Sequence, residues 1–276
     1  MSELLTFQDG CPEDFIMTYP VTDNNFPPTK GSRLVSPRIG KPNGLARPTF
    51  PGEEGFEEEL TEVYSARFAV MKGIVPEWIF ERYGIQVEIT APLAREASFT
   101  AELLGVSTAE ALADLVRMDS PTDLGRVLIR ELASQGAQLK EAPEGHVNFL
   151  EIHSKSLDTL GRAQAAALEA AFEAKYYFGR PRPGAVARDR DPALTSGLFA
   201  QYPWPNHPAY PAGHGAAAGA TVAALNEVFE LSSEQKAMVL HSAAQFAMAR
   251  TLSGMHYTSD NESGFILGYL AAKSAI

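Results

Sequence analysis

A chain of 276 residues, 45% hydrophobic and 21% charged, can bury a full core and has the make-up of an ordinary globular protein. Its net charge of −11 argues against a nucleic-acid partner and an anionic membrane surface, and no run approaches the about 20 apolar residues of a membrane span. The single cysteine, Cys11, excludes an intrachain disulfide.

In chain order, Met1–Ile16 carries Glu3, Asp9, Glu13 and Asp14 with no basic start or apolar core, unlike a secretory signal. The expectation is a cytoplasmic protein, or an exported one whose leader is missing from the numbered chain. Eight of the 19 prolines precede residue 52, so 1–55 is expected to be an irregular arm, wrapped over the body or over a neighbouring subunit. From 56 to 276 a single all-α domain is expected. Phe56, Leu60, Val63, Phe68 and Met71 recur at helical intervals and predict a helix over 56–72. Val87-Glu88-Ile89-Thr90 reads as a short strand without an evident partner. Ser107-Thr108-Ala109-Glu110 and Ser120-Pro121-Thr122-Asp123 each set a hydroxyl cap three residues before an acid and should open helices. The Ala-, Leu- and Glu-rich run 147–178 predicts a long helix ending at Gly179-Arg180-Pro181, with Lys175 in its last turn, where a cation is favoured.

Residues 183–206 hold Pro, Asp and Gly without periodicity and read as a connection. Next, Pro211-Ala212-Gly213 turns directly into His214 and an Ala-rich run over 216–229, so His214 should sit in the first turn of a helix. Free N–H groups and the positive end of the dipole make that turn an anion site. The small residues that follow allow close approach of neighbouring helices. Ser232-Ser233-Glu234-Gln235 caps the next helix, to about Leu252, and Ser259-Asp260-Asn261-Glu262 the last. Helix after helix with short links argues a bundle. Alanine-rich interfaces and the wrapped arm point to a homo-oligomer.

Against the acidic background, 175–188 carries four basic residues and no acidic one. Lys175 to Pro183 reads K-x6-R-P, Pro211 to His214 reads P-x-G-H, and Arg250 to Asp260 reads R-x5-H-x3-D. These three motifs, in this order, resemble the vanadium-dependent haloperoxidases and the type 2 phosphatidic-acid phosphatases, which share one helical fold and one oxyanion pocket. The resemblance covers 147–276 and implies an all-α bundle of that type.

By the resemblance, Lys175, Arg182 and Arg250 match the oxyanion-binding cations, with Gly213 adding a backbone N–H. An oxyanion carrying two to three charges needs fixed positive donors, and guanidinium forks suit pairs of oxygens. The plainer reading is three surface cations in ordinary ion pairs. Arg180 competes with Arg182, but K-x6-R-P selects Arg182. His256 matches the residue that binds vanadium or attacks phosphorus, and Asp260 one turn on would fix its tautomer, or simply cap the helix. His214 would be the acid–base group. A histidine at His207 resembles the bromoperoxidase branch, favouring bromide or iodide over chloride; capping the loop before Pro208 is the alternative. Phe172 and Tyr210 are expected to line the pocket wall, whereas His146, His153 and His241 lie outside the motifs. Ala212 and Ala249 stand where the family commonly has serine, and each lost hydroxyl removes a hydrogen bond worth about 1.5–3 kcal/mol to a charged partner.

The implied activity is a vanadate-dependent haloperoxidase acting on hydrogen peroxide, a halide and a small organic acceptor, with phosphate able to occupy the vanadate site. The alternative is a soluble acid phosphatase working through a phosphohistidine. A helical protein that merely sequesters phosphate would explain the cations but not the two histidines.

Overall fold

The computed structural model describes residues 3–4, 20–21, 45, 47–71, 121–140, 149–190, 207–252 and 254–276, and of 3–4, 20–21, 67–71, 121–123 and 149–153 the backbone alone. Cys11, the strand expected at 87–90, the helix expected after Ser107, His146 and most of the 1–55 arm lie outside the described residues, as does the side chain of His153.

The described residues form a helical bundle. Helix α1 (Phe56–Met71) opens with Glu57, Glu58 and Glu59, which suit the positive end of its dipole. It buries Phe56, Leu60 and Val63 against Val186, Ala187, Ala209 and Tyr257. Helix α2 (Pro121–Ser134) has proline at its first position, as expected. Gly136, at φ 74°, stops it, with Ala137 N–H bonding Leu132 O at 2.9 Å and Gly136 N–H bonding Ala133 O at 3.1 Å. Helix α3 (Phe149–Phe178) places Lys175 in its last turn and ends at Gly179, φ 65°.

The expectation of an aperiodic connection from 183 is corrected at its start: Pro183–Arg190 is a helix, α4. Proline at its first position presets φ, Arg188 and Arg190 complement its last turn, and Arg190 docks on Glu57 of α1 through two bonds of 2.7 Å. An eight-residue helix held by one face shows no usable periodicity.

Helix α5 (Gly213–Val228) is buried on every side from Gly215 to Leu225 and forms the axis of the bundle. Helix α6 (Ser233–Leu252) starts with the expected reciprocal cap, Gln235 N–H to Ser232 Oγ at 3.2 Å and Ser232 N–H to Gln235 Oε1 at 3.0 Å. Helix α7 (Thr258–Ala275) corrects the expected cap, because Tyr257, not Ser259, is its N-cap, and Asp260 Oδ2 accepts from Tyr257 N–H at 3.0 Å. Two-residue strands pair antiparallel: β1 (Glu3–Leu4) with β2 (Pro20–Val21), and β3 (Gln138–Leu139) with β4 (Phe229–Glu230).

Helices α5 and α7 touch backbone to backbone. A Cβ added at Gly215 would lie 2.6 Å from Asn261 O, at Gly219 2.0 Å from Phe265 O, at Gly264 2.3 Å from Ala212 O, and at Gly268 1.8 Å from Ala216 O. The contact positions rise together along both helices, so the two run parallel with their N-termini side by side. Gly268→Ala should therefore push the helices apart and destabilise the fold by about 1–3 kcal/mol or more. Gly161→Ala, where an added Cβ meets nothing within 4 Å, should gain about 0.5–1 kcal/mol. Urea unfolding of the two variants checks the contrast.

Candidate active site

Two helix stops and one bond between helices bring the motif residues to one end of the bundle. Gly179 ends α3 beside Lys175, and the chain doubles back so that Ala209 N–H bonds Arg180 O at 2.8 Å. After α6, Gly254 at φ 75° bonds Thr251 O at 2.9 Å while Met255 N–H bonds Arg250 O at 3.0 Å. That turn carries His256 back over Arg250, whose carbonyl also accepts from His256 N–H at 3.3 Å, and so explains the R-x5-H spacing. Ala212 N–H bonds Asp260 O at 2.8 Å and pins the start of α5 to α7.

Lys175, Arg182, Arg250 and His256 are 1%, 4%, 0% and 3% exposed, so these are not surface cations. The Lys175 ammonium donates to Pro208 O at 2.9 Å and Ala209 O at 2.8 Å, two of the three bonds an ammonium can make. Burial first, then the neighbouring Arg182, pull its pKa down to about 7. Burial also lowers Arg182, to about 10. Arg182 donates to His207 O at 3.0 Å and Met255 O at 2.9 Å and reaches His207 Nδ1 at 3.2 Å. Arg250 sits 5.5 Å from the Phe246 ring centroid, and the His214 ring packs 5.7 Å from the same ring.

His256 shows which nitrogen is bare. Its Nε2 lies 3.3 Å from Arg182 Nη1, which can only donate, and its Nδ1 lies 3.2 Å from Asp260 Oδ2, which as a carboxylate can only accept. The proton is therefore on Nδ1, and the Nε2 lone pair faces the cations. Burial and the charges of Arg182, Lys175, His214 and Arg250 all push its pKa well below the ordinary value and keep the ring neutral. Asp260 both caps α7 and holds His256.

The His207 ring packs against Phe172 in a tilted arrangement, centroids 5.1 Å apart, and burial, Lys175 and Arg182 lower its pKa. Phe172 is 39% exposed, at the edge of this cluster, while Tyr210 is buried against Phe178 at 5.0 Å. His241, half-buried on α6, is lowered by burial. A Cβ at Gly213 would meet only Leu168 Cδ2, at 3.7 Å, so packing does not demand glycine there. The α5 N-cap, Ala212, makes no side-chain hydrogen bond to the helix end.

Arg180, which K-x6-R-P passes over in favour of Arg182, has partners of its own. It donates to Asp260 Oδ1 at 2.8 Å, Ser259 Oγ at 2.9 Å and Thr49 Oγ1 at 2.8 Å, and it pairs with Glu59 at 3.2 Å. Thr49 and Glu59 had no signal in the sequence, since nothing in their surroundings ties them to a motif more than 100 residues on. No group of three or more His, Cys, Asp or Glu able to hold a metal ion occurs among the described residues. No described helix is long and apolar enough to cross a membrane.

The family model of the PAP2 superfamily matches residues 160–276. Among solved structures, the chain is similar to one described as the first bacterial vanadium-dependent iodoperoxidase, at 18% identity and a TM-score of 0.49, over 84% of this chain and 51% of that one. The chain thus spans about half the length of that protein. No curated protein matches the chain.

The depressed Lys175 pKa sets a pH dependence. Between about 7 and 10.5 the unfolded chain holds more protons than the folded one, so the ligand-free protein gains stability as pH rises through that window. A bound oxyanion favours the charged ammonium and reverses the trend. Tungstate, a dianion throughout, should raise the melting temperature more at about pH 6 than at about pH 9, and Lys175→Met should flatten that difference. Asp260→Asn should leave Arg180 with Glu59 as its remaining carboxylate, destabilise the fold by about 1–3 kcal/mol in urea titrations, and weaken tungstate binding by about 10–100-fold.

Proposed function

From the match of residues 160–276 to the PAP2 superfamily, we propose that the protein is a vanadate-dependent haloperoxidase. It would oxidise bromide or iodide with hydrogen peroxide to hypohalous acid, which then halogenates a small organic acceptor. The observation that carries this reading is the bare Nε2 of His256, with its Nδ1 proton held by Asp260, among buried cations.

The donor set suits vanadate. Lys175, Arg182 and Arg250 would hold its oxygens, the first N–H groups of α5 at Gly213 would add neutral donors, and His256 Nε2 would ligate the metal. When bound, vanadate supplies a Lewis-acid centre that polarises the O–O bond of peroxide toward attack by halide. The chain's own part is positional and electrostatic. Two carbonyls fix the Lys175 ammonium so that its remaining proton can serve the anion. Asp260 keeps the His256 proton on Nδ1 and thereby Nε2 bare. His214, in the first turn of α5, supplies the proton that the reduced oxygen takes up. His207 and Phe172 border the cluster, where halide and acceptor would meet.

A second reading is favoured by the same bare nitrogen and by Ala212, which offers vanadate no hydroxyl. In it, His256 Nε2 attacks the phosphorus of a monoester, the ester P–O bond breaks, and His214 protonates the departing alkoxide. Water then cleaves the phosphohistidine and releases phosphate.

With peroxide, bromide and added vanadate, the protein should brominate a phenolic dye, and His214→Ala should lower turnover by about 10²–10⁴-fold. Phosphate release from an aryl phosphate, inhibited by vanadate and without any bromination, would replace this reading with the second.

A further inference from the structure

The carboxylate behind His256 is itself held from outside the matched region. Arg180 is wholly buried and joins two carboxylates, Asp260 at 2.8 Å and Glu59 at 3.2 Å. Glu59 lies on α1, more than 100 residues before residue 160, where the family match begins. Its carboxylate accepts from Thr49 Oγ1 at 2.8 Å and from the Ser259 hydroxyl, while Thr49 and Ser259 each also accept from Arg180. Glu59, Thr49 and Ser259 are thus each fixed by at least two others of the cluster, and through Arg180 it reaches Asp260, whose other oxygen faces His256 Nδ1.

Counting charges shows what Glu59 adds. Arg180 and Asp260 alone cancel, so a positive imidazole at His256 would face three buried cations with no net negative charge behind it. Glu59 restores one negative charge to the set. We infer that Glu59 is a positioning residue for His256, acting through Arg180 and Asp260: it holds the Asp260 carboxylate on Nδ1 and balances the charge that His256 gains when Nε2 binds or attacks. The catalytic part of this inference rests on the proposed reading of the site; the geometric part does not.

Glu59→Gln keeps the size and one acceptor oxygen but removes the charge. Glu57→Gln is its control, breaking the exposed Arg190 pair on the same helix. The first readout is the His256 imidazole in ¹⁵N-histidine-labelled protein, which needs no activity. Glu59→Gln should lose or shift the Nδ1–H signal, and Glu57→Gln should leave it as in the wild type. The second readout, in whichever reaction the protein performs, is kcat, expected to fall about tenfold. Thr49→Val, which loosens Glu59 and Arg180 without removing a charge, should shift the signal in the same direction and serves if Glu59→Gln does not fold. Unchanged Nδ1–H signals in the folded variants, with only the melting temperature lowered, would make Glu59 a structural strut and overturn the inference. A shifted signal in a protein that neither brominates nor hydrolyses would support the coupling while removing the proposed function.

Discussion

The backbone contact between α5 and α7 is what the site depends on. Four glycines, Gly215, Gly219, Gly264 and Gly268, face carbonyls that no Cβ could approach. Each glycine inside a helix costs about 0.5–1 kcal/mol relative to alanine, and the buried contact offsets that cost. Because the helices run parallel, both N-termini open at the same end. Two helix dipoles then add to one positive region, which already holds His214 on one helix and His256 just before the other.

Into that region the chain places three cations and withholds the charge of the histidine between them. Burying Lys175, Arg182 and Arg250 together is costly without a counter-charge, and the depressed pKa values of Lys175 and Arg182 express the cost. An oxyanion is the natural counter-charge, since it supplies several acceptors for donors that water reaches poorly. His256 responds to the same field in the opposite sense, by staying neutral and presenting a lone pair. Asp260 does not add a free negative charge here, because Arg180 answers it; its work is to fix a proton.

Much of this was legible in residue order. The cap at Ser232 and Gln235, the proline opening α2, and the end of α3 just after Lys175 are local signals, set by hydrogen bonds within a few residues. Helix α4 was missed because eight residues held by one face carry no usable period. The cap of α7 was misplaced by one choice: Ser259 looked like a capping hydroxyl, yet it serves Glu59 and Arg180, and Asp260 takes the helix end instead. Arg180 and Arg182 are both wholly or nearly buried and two residues apart, and their distant partners assign one to Asp260 and the other to His256.

The sequence by itself determined the helical architecture, the spacing of the three motifs and the identity of the cations and imidazoles, because each of these follows from local periodicity and from side-chain chemistry. Tertiary structure alone decided that α5 and α7 run parallel in backbone contact, that His256 carries its proton on Nδ1, and that Glu59 and Thr49 stand behind Asp260. Those outcomes depend on which atoms meet across the bundle, and such meetings are fixed by packing between segments that no local pattern connects.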